Sequence, residues 1–411
     1  MALRHRVAVQ EGVYTTMTRL WLPFLALFSC SLVLSVVLTP SVRRLAWRLG
    51  VVDKPSARRV NRRPVPRMGG IAVYVAIMLC IFFDAWGFRP LGMPPLFSGG
   101  PMGMPGHNQQ LFLLGMTIVF VTGVIDDCIT LSPIQKFVGQ VLGAIATVAS
   151  GLVIDLVVNP IFETGIELGW LGYPITVIYL VAYTNIFNLI DGLDGLAAGI
   201  ACIASFTMCI VSSLAIHMDA AALAIIVAGA TLGFLRYNFN PASIFLGDSG
   251  SLLIGFALGA ISLMSVQRIA GLTSIIVPLV IAGIPIIDTL SAIIRRGRAH
   301  VSIGQADKGH IHHRLMDEGL NQRETVLFIY GWTAILCIGA IVMTQVTVGP
   351  RIFIFCILIL SSVLFSWRLR LFRPVLFHHY NHETGTDELV TPQDPEFAEE
   401  EERFEEEHPL F

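Results

Sequence analysis

Charge is what this sequence has least of. Of its 411 residues only 14% are Asp, Glu, Lys or Arg, against roughly 25% in a soluble globular chain. Hydrophobic residues make up 54% and the mean hydropathy is +0.71. That balance argues against a water-soluble enzyme, a disordered chain and a collagen-like fibre. Cysteines are few: Cys30, Cys80, Cys128, Cys202, Cys209, Cys337 and Cys356 show no C-x-x-C spacing, and six lie in apolar runs. They read as small hydrophobes, and neither a disulfide framework nor a zinc cluster follows from them. No repeat of fixed period is visible, and the two halves do not mirror each other. Length alone suggests two or three domains; composition overrides that count.

What is present is apolar length. A bilayer-crossing helix needs roughly 20 mostly apolar residues. Eleven segments approach that: 19–41, 70–88, 111–125, 134–154, 174–190, 195–216, 221–237, 250–266, 272–293, 325–345 and 351–367. They predict an all-α integral membrane protein of about eleven transmembrane helices. The first is no cleavable signal, since its run is too long and ends in Arg43 and Arg44. Segment 42–69 holds nine basic residues and 294–323 holds six, and the last span runs into Arg368, Arg370 and Arg373, whereas 89–110 has only Arg89. Basic loops stay cytoplasmic, which puts the N-terminus outside and the C-terminus inside, although Arg4, His5, Arg6 and Arg19 then fall outside. Twelve acidic residues and one basic residue, Arg403, follow from Glu383, leaving 26 basic against 17 acidic in the rest. The expected organisation is an N-terminal segment 1–18, a polytopic body 19–380, and an acidic tail 381–411 kept disordered by like-charge repulsion.

Carboxylates sit beside the apolar runs at Asp126, Asp127, Asp191, Asp194 and Asp248, all at cytoplasmic ends of spans on this orientation. Adjacent helix positions point about 100° apart, so Asp126 and Asp127 do not form a shared-proton dyad. One is free to face substrate or metal while a basic partner holds the other; solvated acids at a helix end are the plain alternative. From Asn185 to Gly195 polar residues recur every third position, which places Asn185 and Asp194 on opposite sides of an unbroken helix. Gly192 and Gly195 permit a break instead, and amide plus carboxylate oxygens suit a hard cation such as Mg²⁺. Gly247, Ser249, Gly250 and Ser251 open an apolar helix whose N–H groups favour phosphate, with an N-cap by Asp248 or Ser249 as the alternative. In the basic loop, His310, His312, His313 and Arg314 suggest flanking of a diphosphate. Zinc is a weaker reading, because no Cys is near and H-E-x-x-H spacing is absent.

Five motifs in order then carry a resemblance across residues 40 to about 320. They are Asp53-Lys-Pro with Pro64-Val-Pro-Arg-Met-Gly-Gly70, Asp126-Asp127, Asn185 to Gly195, Phe245-Leu-Gly-Asp-Ser-Gly-Ser251 and His310-Ile-His-His313. The chain resembles the polyprenyl-phosphate N-acetylhexosamine-1-phosphate transferases of glycosyltransferase family 4. The resemblance implies an enzyme of the bacterial inner membrane with an active site open to the cytoplasm through loops 42–69, 126–133, 185–195, 238–250 and 294–323. It implies Mg²⁺, with Mn²⁺ as a substitute, and transfer of a sugar 1-phosphate from a UDP-sugar to a polyprenyl phosphate with release of UMP. By the same resemblance Asp126, Asp127 and His310 are catalytic, and Asp248 and Asn188 are metal ligands. Asp191, Asp194, Asn238, Phe245, Lys54, Arg67, His312, His313 and Arg314 contact substrate, Asn238 and Phe245 on the uracil side. The lipid bilayer is a partner, nucleic acid is not, and a homodimer is allowed. Val65-Pro-Arg-Met-Gly-Gly70 and His310-Ile-His-His-Arg-Leu315 depart from the muramoyl-pentapeptide branch and look more like the branch using UDP-GlcNAc, which initiates cell-envelope polysaccharides; the muramoyl branch is the alternative. A secondary transporter is a further alternative, but it requires acids near the midplane and repeated halves.

Overall fold

In the computed structural model the described residues are 2–53, 64–87, 108–158, 165–266, 276–299, 301, 307, 309–375, 377–381, 386–390, 394 and 397. Among them the chain forms α1 (Ala2–Leu49), α2 (Gly70–Phe82), α3 (Gln109–Ile129), α4 (Pro133–Ala149), α5 (Gly172–Ile190), α6 (Leu196–Leu214) and α7 (Met218–Asn238). There follow α8 (Gly247–Val266), α9 (Ile276–Ile281), α10 (Gly283–Arg298), α11 (Ile311–Asp317), α12 (Gln322–Gln345) and α13 (Val348–Arg368). Local chemistry sets several boundaries. Ser132 and Asn321 make reciprocal capping boxes with Gln135 and Glu324, and Pro133 occupies the first turn of α4. Between α5 and α6, Gly195 takes φ 83°, which a β-carbon disfavours. The expected helix break near Gly192 and Gly195 is therefore present.

Among the described residues eight helices are long and apolar enough to cross a membrane: Trp21–Leu49, Gln109–Ile129, Gly169–Ile190, Leu196–Leu214, Met218–Asn238, Gly247–Ser265, Gln322–Gln345 and Val348–Arg368. Large apolar side chains stand outward along them, such as Trp21, Val37, Ile338, Phe353 and Leu360, and only lipid suits so continuous an apolar exterior. The protein is an all-α integral membrane protein. The eleven expected segments fall on helices where they are described, and in three of them the described helix is shorter than that length. Segment 70–88 is the shorter apolar helix Gly70–Trp86, and 134–154 contains the 17-residue α4. Segment 272–293 is divided at Ala282 into α9 and α10 where described. Pro285 has no N–H to return to Ile281, so one unbroken helix is disfavoured there.

Helices α7 and α8 are the most enclosed spans. Small residues let neighbours approach: a β-carbon on Gly229 of α7 would lie 2.1 Å from Ser31 Oγ of α1, and one on Gly70 of α2 would lie 2.1 Å from the Gly250 nitrogen of α8. At the same end as that second crossing, β1 (Val52–Asp53) pairs antiparallel with β2 (Val65–Pro66). The Phe245 N–H donates to Pro66 O at 2.8 Å, and Gly69 and Gly70 donate to Phe245 O and Leu246 O. These bonds bring the segments before α2 and before α8 together.

Helix α1 runs from Ala2, so the N-terminal segment 1–18 continues into the first span as helix. The first part of the acidic tail departs from the expectation of disorder. Strands Phe377–Asn381 and Thr386–Val390 form an antiparallel hairpin, in which Tyr380 stands opposite Asp387 and Phe377 opposite Val390. The dense acidic runs begin only after this hairpin, at Glu399.

Candidate active site

The end of α3 delivers Asp126 and Asp127 buried side by side, and they diverge as successive helix positions must. Asp126 Oδ1 accepts the Leu131 N–H at 2.6 Å, and its Oδ2 lies 2.5 Å from Lys136 Nζ. The same ammonium lies 2.8 Å from Asp248 Oδ1, which also accepts Asn188 Nδ2 at 2.8 Å. Lys136 is thus the cation between two carboxylates from different helices. Asp127 accepts the N–H of Asp248 at 2.9 Å and of Ser249 at 3.1 Å, one on each oxygen. It satisfies two of the amides left open at the N-terminus of α8 and opposes the helix dipole. The expectation that those two amides serve a phosphate is corrected: a carboxylate of the protein already occupies them. Lys136 was not among the residues read from sequence. Its charge sits within a segment read as a span, and its place in the first turn of α4, three residues past the Ser132-Pro133 start, was the available signal.

Between α5 and α6 the chain carries Asp191 and Asp194 in a tight bend. The Asp191 carboxyl makes no hydrogen bond among the described residues and borders a cavity. Burial pushes its pKa up to about 8, and the carboxylates of Asp248, Asp127 and Asp194 add to the shift. Asp194 braces a neighbouring loop: its Oδ2 accepts Asn240 Nδ2 and the Ala242 N–H, both at 3.0 Å. Asn238 braces too, accepting from the Gly195 N–H and donating to Ile244 O, each at 3.1 Å. Its amide oxygen and nitrogen both meet backbone, and the side chain also borders the cavity. Asn185 pairs with Gln140 across α4 and α5 and acts as glue between helices.

The histidine loop folds against α10. His310 Nδ1 lies 2.8 Å from Asp288 Oδ2, and the Ile311 N–H donates to Asp288 Oδ1 at 2.7 Å. The His310 and His312 rings are parallel within 4° at 5.7 Å, and His313 follows at 4.2 Å from His312. Burial drives the His312 pKa down to about 3, with His313 adding to the effect. The His312 ring is therefore neutral at physiological pH. A β-carbon on Gly192 would lie 2.6 Å from His312 Cε1, so this glycine is required where the Asp191 bend meets the ring. Arg314 is placed elsewhere than expected: it donates to Arg373 O at 3.1 Å and does not line the cavity. Among the described residues no three His, Cys, Asp or Glu side chains converge on a common metal position. Zinc held by the histidine loop needs such a set, whereas Mg²⁺ is commonly held by one or two carboxylates together with substrate phosphates.

These segments enclose a cavity of about 470 Å³ lined by Arg67, Asn188, Asp191, Asp194, Asn238, Phe245, Asp248, His310, His312 and His313. Asp53, Gln322 and Ser251 also line it, and none of the three was singled out as a site residue. Arg67 Nε lies 4.0 Å from Asp53 Oδ1. Asp126 and Asp127 are not in the wall but one step behind it, through Lys136 and the α8 terminus. Lys54 lies outside the described residues.

Residues 110–266, from α3 through α8, match the model of glycosyl transferase family 4. A Bacillus subtilis (strain 168) protein named "Probable undecaprenyl-phosphate N-acetylglucosaminyl 1-phosphate transferase" is 40% identical over 333 residues, 81% of this chain and 88% of that protein. The chain belongs to glycosyl transferase family 4. It is an enzyme, a membrane-embedded transferase, and the transporter reading falls. The decaprenyl-phosphate N-acetylglucosaminephosphotransferase of Mycobacterium tuberculosis (strain ATCC 25618 / H37Rv) is 34% identical over 336 residues, 76% of this chain and 80% of that protein. A phospho-N-acetylmuramoyl-pentapeptide-transferase of Halalkalibacterium halodurans is 31% identical over 281 residues, 65% of this chain and 79% of that protein. The family match covers the carboxylate side of the cavity and stops before the histidine loop.

Proposed function

We propose that this transferase moves N-acetylglucosamine 1-phosphate from UDP-GlcNAc to undecaprenyl phosphate, releasing UMP, in the bacterial inner membrane with the cavity open to the cytoplasm. One observation carries the reading: a single cavity is lined by Asp191, Asp194 and Asp248 together with Arg67, His310, His312 and His313. Both substrates are anionic, and two unit charges 4 Å apart repel by about 4 kcal/mol at an effective dielectric of 20. Neutralising that repulsion is the main catalytic task. The names of the relatives support a polyprenyl phosphate acceptor, and the 40% and 34% identity to the Bacillus subtilis and Mycobacterium tuberculosis relatives, against 31% to the Halalkalibacterium halodurans one, supports N-acetylglucosamine over the muramoyl-pentapeptide branch.

The donor set fits a divalent cation. Asp191 is a cavity carboxyl with no hydrogen-bond donor, and it faces further carboxylates. Asn188 turns its nitrogen to Asp248 and Ser251, at 2.8 Å each, which leaves its Oδ1 for a cation. Asp248, Asp191 and Asn188 would hold Mg²⁺, which supplies positive charge to the diphosphate when bound. In this proposal an oxygen of the lipid phosphate attacks the β-phosphorus of UDP-GlcNAc, and the bond from that phosphorus to the bridging oxygen breaks. UMP leaves with the electron pair. A polyprenyl phosphate is already largely ionised at neutral pH, so a separate base adds little. Asp126, with both oxygens engaged, acts in this proposal by holding Lys136 against Asp248, and an aspartyl-phosphate route is correspondingly disfavoured. Arg67 and His310 orient the phosphates.

Purified protein incubated with UDP-GlcNAc should release UMP only when both undecaprenyl phosphate and Mg²⁺ are present. Asp248→Asn and Asp191→Asn should each lose Mg²⁺ binding in a calorimetric titration, with the fold kept. Turnover of UDP-N-acetylmuramoyl-pentapeptide in place of UDP-GlcNAc would move the chain to the other branch, and turnover in a chelator would remove the cation.

A further inference from the structure

Helix α10 carries Asp288, Ser291 and Arg295 at spacings of three and four, which is one helix face, and all three are buried. A buried ionised carboxylate is costly unless donors compensate it. Here the compensation comes from the histidine loop. Arg295 Nε and NH2 donate to Asp307 Oδ2 at 3.0 and 2.6 Å, and Asp307 Oδ1 accepts the Gly309 N–H at 2.7 Å. Those bonds clamp the loop backbone. Asp288 grips the next two residues, His310 through the ring and Ile311 through its N–H.

The two contacts of Asp288 differ in what they determine. The bond to Ile311 only anchors the chain. The bond to His310 Nδ1 selects a tautomer, because an ionised carboxylate accepts and has no hydrogen to give. The hydrogen must then sit on Nδ1, and Nε2 becomes the nitrogen offered to the cavity that His310 lines. We propose that Asp288 is a positioning residue, which fixes the ring orientation and the Nδ1–H tautomer of His310 and turns Nε2 to the cavity, where it takes the remaining proton of the lipid phosphate and then donates it as a hydrogen bond to a phosphate oxygen. The assignment rests on the cavity being the site of sugar-phosphate transfer. Its catalytic effect passes entirely through His310, since Asp288 is 1% exposed and does not line the cavity.

Asp288→Asn keeps the shape and one acceptor for Ile311 while removing the obligation on the His310 tautomer. We expect it to lower kcat by about 100-fold and to leave KM for UDP-GlcNAc within about threefold, the pattern of an interaction made in the transition state. Combined with His310→Ala, it should lose no more than His310→Ala alone, within about threefold, because both changes remove the same contribution. Losses that multiply in the double variant, or a KM rising in step with the fall in kcat, would overturn the proposal. A second measurement needs no turnover. In nitrogen NMR of histidine-labelled wild-type protein, the resonances missing from His310→Ala identify the ring, and its proton should lie on Nδ1. A proton found on Nε2 refutes the role of Asp288 whatever the variants do. A wild type that releases no UMP from UDP-GlcNAc would bring down the assigned reaction, while the nitrogen spectra would still decide for or against Asp288.

Discussion

Asp127 accepts the backbone N–H of Asp248 at 2.9 Å, so the second carboxylate of the Asp126-Asp127 pair fixes where the next helix begins. Its other oxygen takes the Ser249 N–H, and the start of α8 is thereby held against the end of α3. Asp248 reaches the cavity from that start.

Asp127→Ala should therefore act first on stability. Two amides lose a charged cap, and loss of such a cap costs about 1–2 kcal/mol. Thermal unfolding in detergent should show that loss, with a smaller one for Asp127→Asn, which keeps an acceptor. An unchanged midpoint in Asp127→Ala would contradict the capping role.

Lys136→Met leaves Asp126 and Asp248 facing each other without their cation. Breaking a buried pair costs roughly 3–5 kcal/mol, and we expect the lower end, because 21% of the Lys136 side chain is exposed. Added Mg²⁺ should raise the unfolding midpoint of the variant more than that of the wild type, since it restores positive charge beside Asp248. Equal shifts in the two proteins would sink this reading.

His312 should make the protein acid-labile. Its folded pKa, about 3, lies below the ordinary 6.5. The unfolded chain thus binds a proton that the folded chain refuses, and stability falls as pH drops from 6.5 toward 3. At pH 5 the loss from this one ring is about 2 kcal/mol, while above pH 7 it contributes no slope. Unfolding midpoints at pH 7 and pH 5 should differ less in His312→Phe than in the wild type. An identical pH dependence in the two would show that His312 titrates normally.

Gly192→Ala places a methyl within 2.6 Å of the His312 ring, and the ring or the Asp191 bend must move. Turnover should fall by about tenfold or more, as misplacement at a reacting site commonly does. The double variant Gly192→Ala/His312→Ala removes the clash and should show whether the bend recovers its Mg²⁺ affinity. Wild-type turnover in Gly192→Ala would mean that the loop yields without consequence.

Much of this molecule follows from local pattern. Apolar runs near 20 residues make membrane helices because lipid offers no partner to backbone groups, and no distant contact is needed to infer that. Gly192 and Gly195 announce the break after α5, and consecutive carboxylates on α3 must diverge because the helix turns about 100° per residue. The order of five short motifs was enough to indicate the family. An interruption such as the one before Pro285 is not visible in composition, because an average over a window ignores where an N–H is missing.

The partners of the polar groups are a different matter. Lys136 reaches Asp248 across 112 positions, Asp127 caps a helix that starts 120 residues later, and Asp194 takes the Ala242 N–H 48 positions away. No spacing rule relates such pairs. A carboxylate in a low-dielectric interior binds whichever donor the packing of helices brings within 3 Å, and that choice separated Asp191, which keeps its oxygens for the cavity, from Asp194 and Asn238, which brace loops. The residue types and their order were determined by the sequence; which of them face a substrate, and which hold those that do, was decided by the tertiary structure, because desolvated charge must be paired where the chain happens to meet itself.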